Sequence, residues 1–216
     1  MLLVGATELE TTQLRLSRFP VVVSGIGAVN TAHALTQYLA THPKPSLVIQ
    51  TGIAGAYVPA GVPVGSVVLA DTEIYGDLGV LTVEGWRPME AVGIPLVAAR
   101  DGQPARFNYF PLDGKLVARA AQVGGPLIAR TGPFLTLSII TGIQTLGDEL
   151  FERFGALCES MEGAAAAHVC ALHDAPFLEV RGISNLVEDR DREKWRIKDA
   201  AEAAQTVVLK LAENLS

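Results

Sequence analysis

The chain has 216 residues, of which 49% are hydrophobic and 19% are charged, and its formal net charge is −6. This composition supplies a core for one domain over residues 1–216 and excludes a disordered chain. The acidic balance without a Lys/Arg block argues against nucleic acid as a partner, and the lack of a long uncharged apolar run argues against a membrane span. The start, Met1–Gly5, has no basic leader and predicts a first strand rather than a signal peptide.

In chain order, short apolar runs rich in Val and Ile predict strands that are covered on both faces. These runs are Met1–Gly5, Pro20–Ser24, Leu47–Thr51, Gly65–Ile74, Leu127–Arg130, Phe134–Thr141 and Pro176–Ile183. Ala-rich segments between them predict helices, and the last of these has one apolar face. These segments are Val29–Ala40, Leu112–Gln122, Gly147–Phe154, Gly163–His173 and Glu193–Asn214. Alternating strands and helices predict a layered α/β domain.

The segment Glu84–Pro111 contains Gly, Pro and aromatic residues without clear periodicity. It predicts a long loop. Structureless loops of this length are usually functional or disordered, so we place this one near a site.

Cysteine and histidine content argues against a disulfide framework and a metal centre. Two cysteines, Cys158 and Cys170, favour a reducing cytoplasm as the location. Together with His168 and His173, Cys170 does not form a metal-ligand spacing. We therefore expect no metal and no cofactor.

Three glycine-containing turns follow predicted strands. They are Ser24-Gly25-Ile26-Gly27-Ala28, Thr51-Gly52-Ile53-Ala54-Gly55 and Arg181-Gly182-Ile183-Ser184-Asn185. Ligands of open α/β sheets bind beyond the carboxyl ends of strands, where glycine lets the backbone approach closely. The first turn lacks the third glycine of a dinucleotide fingerprint and does not follow the first strand, so it argues against a NAD site.

Four polar side chains stand beside these turns or at helix starts. Glu10 and Glu162 each have an ordinary interpretation as charges in the first turn of a helix. Arg181 ends an apolar strand and needs a partner, and Asn185 has an alternative interpretation as a turn residue. Together, two carboxylates, a guanidinium and an amide at one sheet edge indicate a binding site.

Five motifs occur in order along the chain: Gly5-Ala6-Thr7-Glu8-x-Glu10, Ser24-Gly25-Ile26-Gly27, Thr51-Gly52-x-Ala54-Gly55, Met161-Glu162-Gly163-Ala164-Ala165 and Arg181-Gly182-Ile183-Ser184-Asn185. With them, nearly the whole sequence resembles the superfamily of nucleoside phosphorylases and methylthioadenosine/S-adenosylhomocysteine nucleosidases. The resemblance implies a three-layer α/β/α fold around a central mixed, twisted sheet. Because members commonly build their sites at subunit interfaces, it also implies a homo-oligomer.

The end of the chain resembles one branch in particular. The pattern is Arg181-Gly-Ile-Ser-Asn185-x4-Arg190-Asp191-x3-Trp195-x-Ile197. It is similar to the futalosine hydrolases, which release hypoxanthine from futalosine in an alternative route to menaquinone. The implied partner is a small-molecule nucleoside.

The resemblance also implies roles for individual residues. Glu10 would act on the attacking water, and Arg181 would help to hold that water. Glu162 would accept a hydrogen bond from the ribose 2′-hydroxyl, and Met161 would pack on the sugar. The implied substrate-binding set consists of Met161, Glu162, Ser184, Gly52 and Phe107.

Asn185 separates the branches by the base that they release. Adenine-specific nucleosidases have Asp at the matching position, whereas an amide offers an uncharged N–H donor. A 6-oxopurine presents acceptors at O6 and N7, so Asn185 favours hypoxanthine or guanine over adenine. An inactive enzyme that has lost the Asp is the alternative interpretation.

Gln50 separates hydrolases from phosphorylases. Phosphorylases of the superfamily carry an Arg near this strand end, because a guanidinium binds phosphate in bidentate fashion. The segment Ile49-Gln50-Thr51-Gly52 has none, so we expect water as the nucleophile. A methylthioadenosine/S-adenosylhomocysteine nucleosidase, a purine nucleoside phosphorylase and a non-catalytic nucleoside-binding module remain the alternatives.

The sequence departs from the nucleosidase pattern at several points. Ile53 stands where those enzymes often have a hydroxyl residue, and the segment Thr141–Gln144 lacks an aromatic residue to stack on the purine. Phe107 is a candidate for the far end of the substrate, either here or in a neighbouring subunit, or for ordinary packing. Arg190 and Arg106 are candidates for the benzoate of futalosine, with an ion pair to Asp191 as the alternative role of Arg190.

Overall fold

A mixed, eight-stranded sheet is the centre of the fold in the computed structural model, which describes residues 1–100 and 102–215. The strands are β1 (Leu2–Gly5), β2 (Val21–Val23), β3 (Val48–Tyr57), β4 (Val67–Tyr75), β5 (Gly79–Thr82), β6 (Gly85–Pro88), β7 (Tyr109–Pro111), β8 (Arg130–Thr136), β9 (Cys158–Ser160) and β10 (Phe177–Val187). The helices are α1 (Glu8–Thr11), α2 (Ala28–Thr41), α3 (Met89–Val92), α4 (Gly114–Gly124), α5 (Gln144–Phe154), α6 (Gly163–Leu172) and α7 (Ile197–Asn214).

The sheet closes partly on itself. Strands β2, β1, β3 and β10 run parallel in that order, and β10 then pairs antiparallel with β4. Strands β4, β8 and β9 run parallel, and β9 returns antiparallel to the end of β3. Because β3 pairs with both β9 and β10, five strands form a ring, and β7 lies beside β4. Strands β5 and β6 form a separate hairpin.

Alternating side chains of the central strands bury themselves under different helices. On β1, Leu3 packs in the core under α4 and α7, whereas Leu2 and Val4 pack in the core under α2 and α6. A third core, which includes Phe134 of β8 and Leu150 of α5, fills the side near the ring. Helices therefore cover both faces of the sheet, which confirms the predicted three-layer α/β/α fold with a mixed sheet.

Two predicted turns are wrong, because the strands continue through them. The glycine segments at 51–55 and 181–185 lie inside β3 and β10, which pair in parallel register from Val48 with Phe177 to Tyr57 with Val187. The regular pairing is interrupted only by a bulge between Ile183 and Asn185. This pairing between distant parts of the chain, which local glycine content does not reveal, keeps both segments extended.

Other boundaries also differ from the prediction. Of the predicted strand Leu127–Arg130, Leu127 ends a 3-10 turn and only Arg130 belongs to a strand, as the first residue of β8. Strand β8 ends at Thr136 rather than at Thr141. The predicted loop Glu84–Pro111 contains β6, α3 and β7, and none of its described residues lines the cleft described below. In the described part of the chain, no helix has the length and apolar character needed to cross a membrane.

Candidate active site

A cleft of about 390 Å³ opens where α1 and the loop after β8 meet the ring strands. Most of its wall is apolar, with a few converging polar groups, as is usual for small-molecule sites. The polar and charged residues in the wall are Thr7, Glu10, Glu159, Ser160, Glu162, Arg181, Ser184 and Asn185. Four of the site residues expected from the sequence, Glu10, Glu162, Arg181 and Asn185, thus share one cleft.

Glu10 is held at both carboxylate oxygens. Thr7 caps α1, accepting from the Glu10 backbone N–H and donating its hydroxyl to Glu10 Oε2 at 2.7 Å. The backbone N–H of Ile53 donates to Oε1 at 2.9 Å. The residue is only 5% exposed, so hydrogen bonds from these donors take the place of most hydrogen bonds from water. A carboxylate fixed in this way is oriented to accept a proton from a ligand in the cleft.

Arg181 is the buried centre of the site. Its Nε donates to Glu179 Oε1 at 2.6 Å, its Nη2 donates to Glu162 Oε2 at 3.2 Å, and its Nη1 donates to the Ile53 carbonyl at 3.1 Å. Burial acts to lower the pKa of Arg181, but Glu179, Glu162 and Glu10 outweigh it and raise this pKa above its usual value. The guanidinium is therefore permanently charged and fixed on three sides.

Glu162 joins the first glycine turn to Arg181. It precedes α6, and its Oε1 accepts from the Gly27 backbone N–H at 2.9 Å while Oε2 faces Arg181. Gly27 adopts φ +92°, a conformation that side chains rarely allow. The glycine of this turn thus aims a backbone N–H at a cleft carboxylate.

Gly52 makes room for the two central side chains. A Cβ on Gly52 would lie 2.5 Å from Arg181 Nη1 and 2.6 Å from Glu10 Oε1. Any other residue would displace the guanidinium or the carboxylate. Gly52 therefore shapes the site from inside β3 rather than through a turn.

Behind Arg181 lies a pair of buried glutamates that the sequence interpretation missed. Glu73 and Glu179 are fully buried, and the Cβ of any residue replacing Gly163 would clash with both carboxyl groups. Burial raises the pKa of Glu73 well above its usual range, and the neighbouring Glu179 raises it further. Burial also raises the pKa of Glu179, but the charge of Arg181 offsets part of that rise. We assign the proton to Glu73 and the charge to Glu179. The sequence feature that could have indicated this pair is Glu179, a charged residue within the apolar run Phe177–Val180.

Glu73→Gln and Glu179→Gln are expected to differ sharply in stability. Gln mimics the protonated Glu73, so the first change should alter the free energy of unfolding by less than about 1 kcal/mol at pH 5. The second leaves Arg181 without its closest partner and should cost about 3 kcal/mol or more. Thermal and urea unfolding of both variants would measure the difference.

The pH dependence provides a further check on this assignment. Because the pKa of Glu73 is raised on folding, the stability tied to its proton is lost as pH rises above the usual Glu range. Glu73→Gln removes this loss, so the variant should gain stability relative to wild type between pH 5 and pH 8. Equal effects of the two substitutions at both pH values would contradict the assignment.

Asn185 lines the cleft with one amide N–H that no residue in the described part of the chain accepts. It follows the bulge in β10, where the Ser184 hydroxyl donates to Asn185 Oδ1 at 2.8 Å. One hydrogen of Nδ2 bonds to the Leu186 carbonyl at 2.9 Å. These partners fix the orientation of the amide, and the second N–H is left as a donor for a ligand.

The remaining predicted residues are distributed differently. Met161 lines the cleft beside Glu162, whereas neither Gly52 nor Phe107 is a wall residue in the part of the chain that the structure describes. Phe107 is partly buried in the segment before β7. Wall residues that the sequence interpretation did not place in the site include Thr7, Leu9, Ile26, Ile139, Ile140, Glu159, Ser160, Trp195 and Ile197.

The two candidate arginines for a distal carboxylate lie in different places. Arg190 lies over the ring of Trp195, 5.4 Å from its centroid, and Trp195 lines the cleft. Arg106 lies over Phe110 and lines a separate pocket of about 280 Å³. Asp191 pairs with Lys194 at 3.7 Å, and among residues 1–100 and 102–215 it forms no ion pair with Arg190. Of the two arginines, Arg190 is the one beside the cleft.

No cluster of three His, Cys, Asp or Glu side chains suited to a metal ion occurs in residues 1–100 and 102–215. Both cysteines, Cys158 and Cys170, are free and buried.

Comparison with known proteins agrees with this geometry. Residues 6–215 match the phosphorylase superfamily. The chain is 37% identical to a futalosine hydrolase of Streptomyces coelicolor, over 95% of this chain and 85% of that protein, and 36% identical to one of Thermus thermophilus, over 92% and 83%. A crystal structure of an S-adenosylhomocysteine nucleosidase from Streptococcus pyogenes, in complex with 5-methylthiotubericidin, is 26% identical with a TM-score of 0.81 and covers 100% of this chain and 96% of its own.

Proposed function

The chain belongs to the phosphorylase superfamily, and on that premise we propose that it hydrolyses the N-glycosidic bond of futalosine, releasing hypoxanthine and dehypoxanthine futalosine. The observation that carries the choice of base is the free N–H of Asn185, which lies in the same cleft as Glu10 and Arg181. The similarity to futalosine hydrolases over more than nine-tenths of the chain supports the same choice.

The reaction needs three groups around the ribose carbon C1′. Water attacks C1′ and gives a proton to Glu10, while the C1′–N9 bond breaks and its electron pair moves onto the purine. The purine leaves as an anion and takes up a proton from solvent to become hypoxanthine, and Glu10 returns its proton to solvent. Glu162 accepts a hydrogen bond from the ribose 2′-hydroxyl, and such bonds stabilise oxocarbenium-like transition states in glycoside cleavage. Arg181 donates to Glu162, and its positive charge lies close to both carboxylates.

At the base, Asn185 stabilises the leaving group. The C1′–N9 electron pair places negative charge on N7 and O6 of the departing 6-oxopurine. The free N–H of Asn185 donates to these atoms, and a hydrogen bond aimed at developing charge lowers the barrier. Ser184 acts indirectly by fixing the orientation of the amide.

The far end of the substrate extends toward the mouth of the cleft. We assign its benzoate to Arg190, which lies over the cleft residue Trp195. Ile139 and Ile140 line the mouth and are 60% and 51% exposed, which supports a homo-oligomer in which a neighbouring subunit, with its Phe107, covers this end. We place the enzyme in the cytoplasm, in the futalosine route to menaquinone, working without a metal or cofactor.

Asn185→Asp tests the choice of base. The carboxylate repels O6 of a 6-oxopurine, so we expect kcat/KM for futalosine to fall by about 10- to 100-fold. Adenine release from the 6-amino counterpart of futalosine should fall less or rise. Chromatography of the released bases would measure both, with Asn214→Asp at the end of α7 as the control.

Two results would count against the assignment. An unchanged kcat/KM for futalosine in Asn185→Asp would remove Asn185 from base recognition. Adenine release from methylthioadenosine by the wild-type protein would favour the alternative activity, methylthioadenosine/S-adenosylhomocysteine nucleosidase.

A further inference from the structure

One glycine separates two polar side chains in the ring of strands. Gly55 of β3 pairs with Asn185 of β10 on one side and with Glu159 of β9 on the other. Residues directly opposite in a sheet point to the same face, so the three positions form one row across two strand spacings of about 4.8 Å each. A Cβ on Gly55 would already lie 3.1 Å from Asn185 Nδ2. The row therefore has a polar group at each end, and Gly55 lines the cleft between them.

Glu159 is a hydrogen-bond acceptor held in a fixed orientation, and it has no part in the hydrolysis steps described above. It lines the cleft but is only 6% exposed. The Tyr57 hydroxyl donates to its Oε2 at 3.0 Å, and the Thr141 backbone N–H donates to its Oε1 at 2.8 Å. A carboxylate has about four lone-pair positions. These two donors fix its orientation and leave lone pairs for a ligand.

A 6-oxopurine and a 6-aminopurine differ at this end of the ring. In hypoxanthine, N1 carries a hydrogen and is a donor, whereas N1 of adenine is an acceptor. A buried carboxylate accepts from the first and repels the second, and leaving such a polar group unpaired is costly. Asn185 donates to the N7 and O6 side of the same base.

We propose that Glu159 accepts a hydrogen bond from N1–H of the purine, so that Glu159 and Asn185 bracket a 6-oxopurine across Gly55. This inference deepens the proposed function and rests on it for the identity of the base. Tyr57 is then a positioning residue, since it touches Glu159 and not the ligand.

The test compares binding of free bases, so it does not depend on turnover. Calorimetry would measure the affinity of the wild type and Glu159→Gln for hypoxanthine, adenine and 1-deazahypoxanthine, which has C–H in place of N1–H at nearly the same size. Glu149→Gln, an exposed position on α5, is the matched control for the loss of charge.

We expect the wild type to bind hypoxanthine at least about tenfold more tightly than 1-deazahypoxanthine, and Glu159→Gln to lose most of that difference. The preference for hypoxanthine over adenine should also fall by about tenfold in Glu159→Gln. Tyr57→Phe should give an intermediate loss, because one of the two donors to Glu159 remains.

Two outcomes would overturn the proposal. One is equal affinity of the wild type for hypoxanthine and 1-deazahypoxanthine. The other is an equal loss of affinity for all three bases in Glu159→Gln, as expected of a purely structural residue. If the protein binds hypoxanthine with the predicted N1–H dependence but does not hydrolyse futalosine, the proposed function fails while the role of Glu159 stands.

Discussion

Glu10→Gln is expected to lower kcat for hypoxanthine release by about a thousandfold, with little change in the Kd for hypoxanthine. The amide keeps the size of the side chain but cannot take a proton from water. It also sets an NH₂ group against the N–H of Ile53 or the hydroxyl of Thr7, both of which donate to the carboxylate. Single-turnover release of hypoxanthine from futalosine would separate the chemical step from product release.

Glu8→Gln provides the matched control on the same helix. Glu8 is exposed and pairs with Arg15 on the surface, so its removal should leave kcat unchanged. A Glu10→Gln enzyme that retains wild-type kcat would exclude Glu10 as the base. A parallel loss of hypoxanthine binding would instead indicate that Glu10 maintains the structure of the cleft rather than acting in the chemical step.

Arg181→Lys is expected to have the second largest effect, on both activity and stability. Lysine keeps the charge but cannot bridge Glu179, Glu162 and the Ile53 carbonyl from one rigid fork. At least one buried carboxylate loses its partner, which should cost about 3 kcal/mol in the free energy of unfolding. We expect kcat/KM to fall by at least about a hundredfold, because Glu162 also loses its orientation.

Urea unfolding and futalosine turnover, measured side by side, would test this expectation. Arg119→Lys, on the exposed face of α4, is the control for the same substitution away from the site. If Arg181→Lys matched Arg119→Lys in both measurements, the three contacts of the Arg181 guanidinium would contribute neither to stability nor to activity, which would contradict the expectation.

Local sequence predicted that Glu10, Glu162, Arg181 and Asn185 lie at one edge of the sheet, but not the backbone that brings them together. Glu10 lies in the short helix that follows β1, and Glu162 lies between β9 and α6, so their positions could be inferred from chain order. The glycines near Gly52 and Gly182 suggested turns, because glycine is most often used there. In the fold, these residues lie inside paired strands, and Gly52 instead leaves room for Arg181 and Glu10.

The buried carboxylates show a second limit of local pattern. Glu179 lies within an apolar run, Glu73 follows Asp71 and Thr72 in β4, and Glu159 belongs to a strand of only three residues, Cys158–Ser160. Glu73 and Glu159 have partners from distant segments, Arg181 and Tyr57, whereas Glu179 pairs with Arg181 two residues further along the same strand. A charge in an apolar strand signals a partner, but the sequence alone does not identify that partner.

Hypoxanthine release in phosphate-free buffer tests the central claim most directly. Purified protein would be incubated in parallel with futalosine, inosine and methylthioadenosine, and the released bases separated by chromatography. We expect hypoxanthine from futalosine without added phosphate and no adenine from methylthioadenosine. Turnover that requires phosphate, or adenine as the main product, would contradict the assignment of a hydrolase for a 6-oxopurine nucleoside.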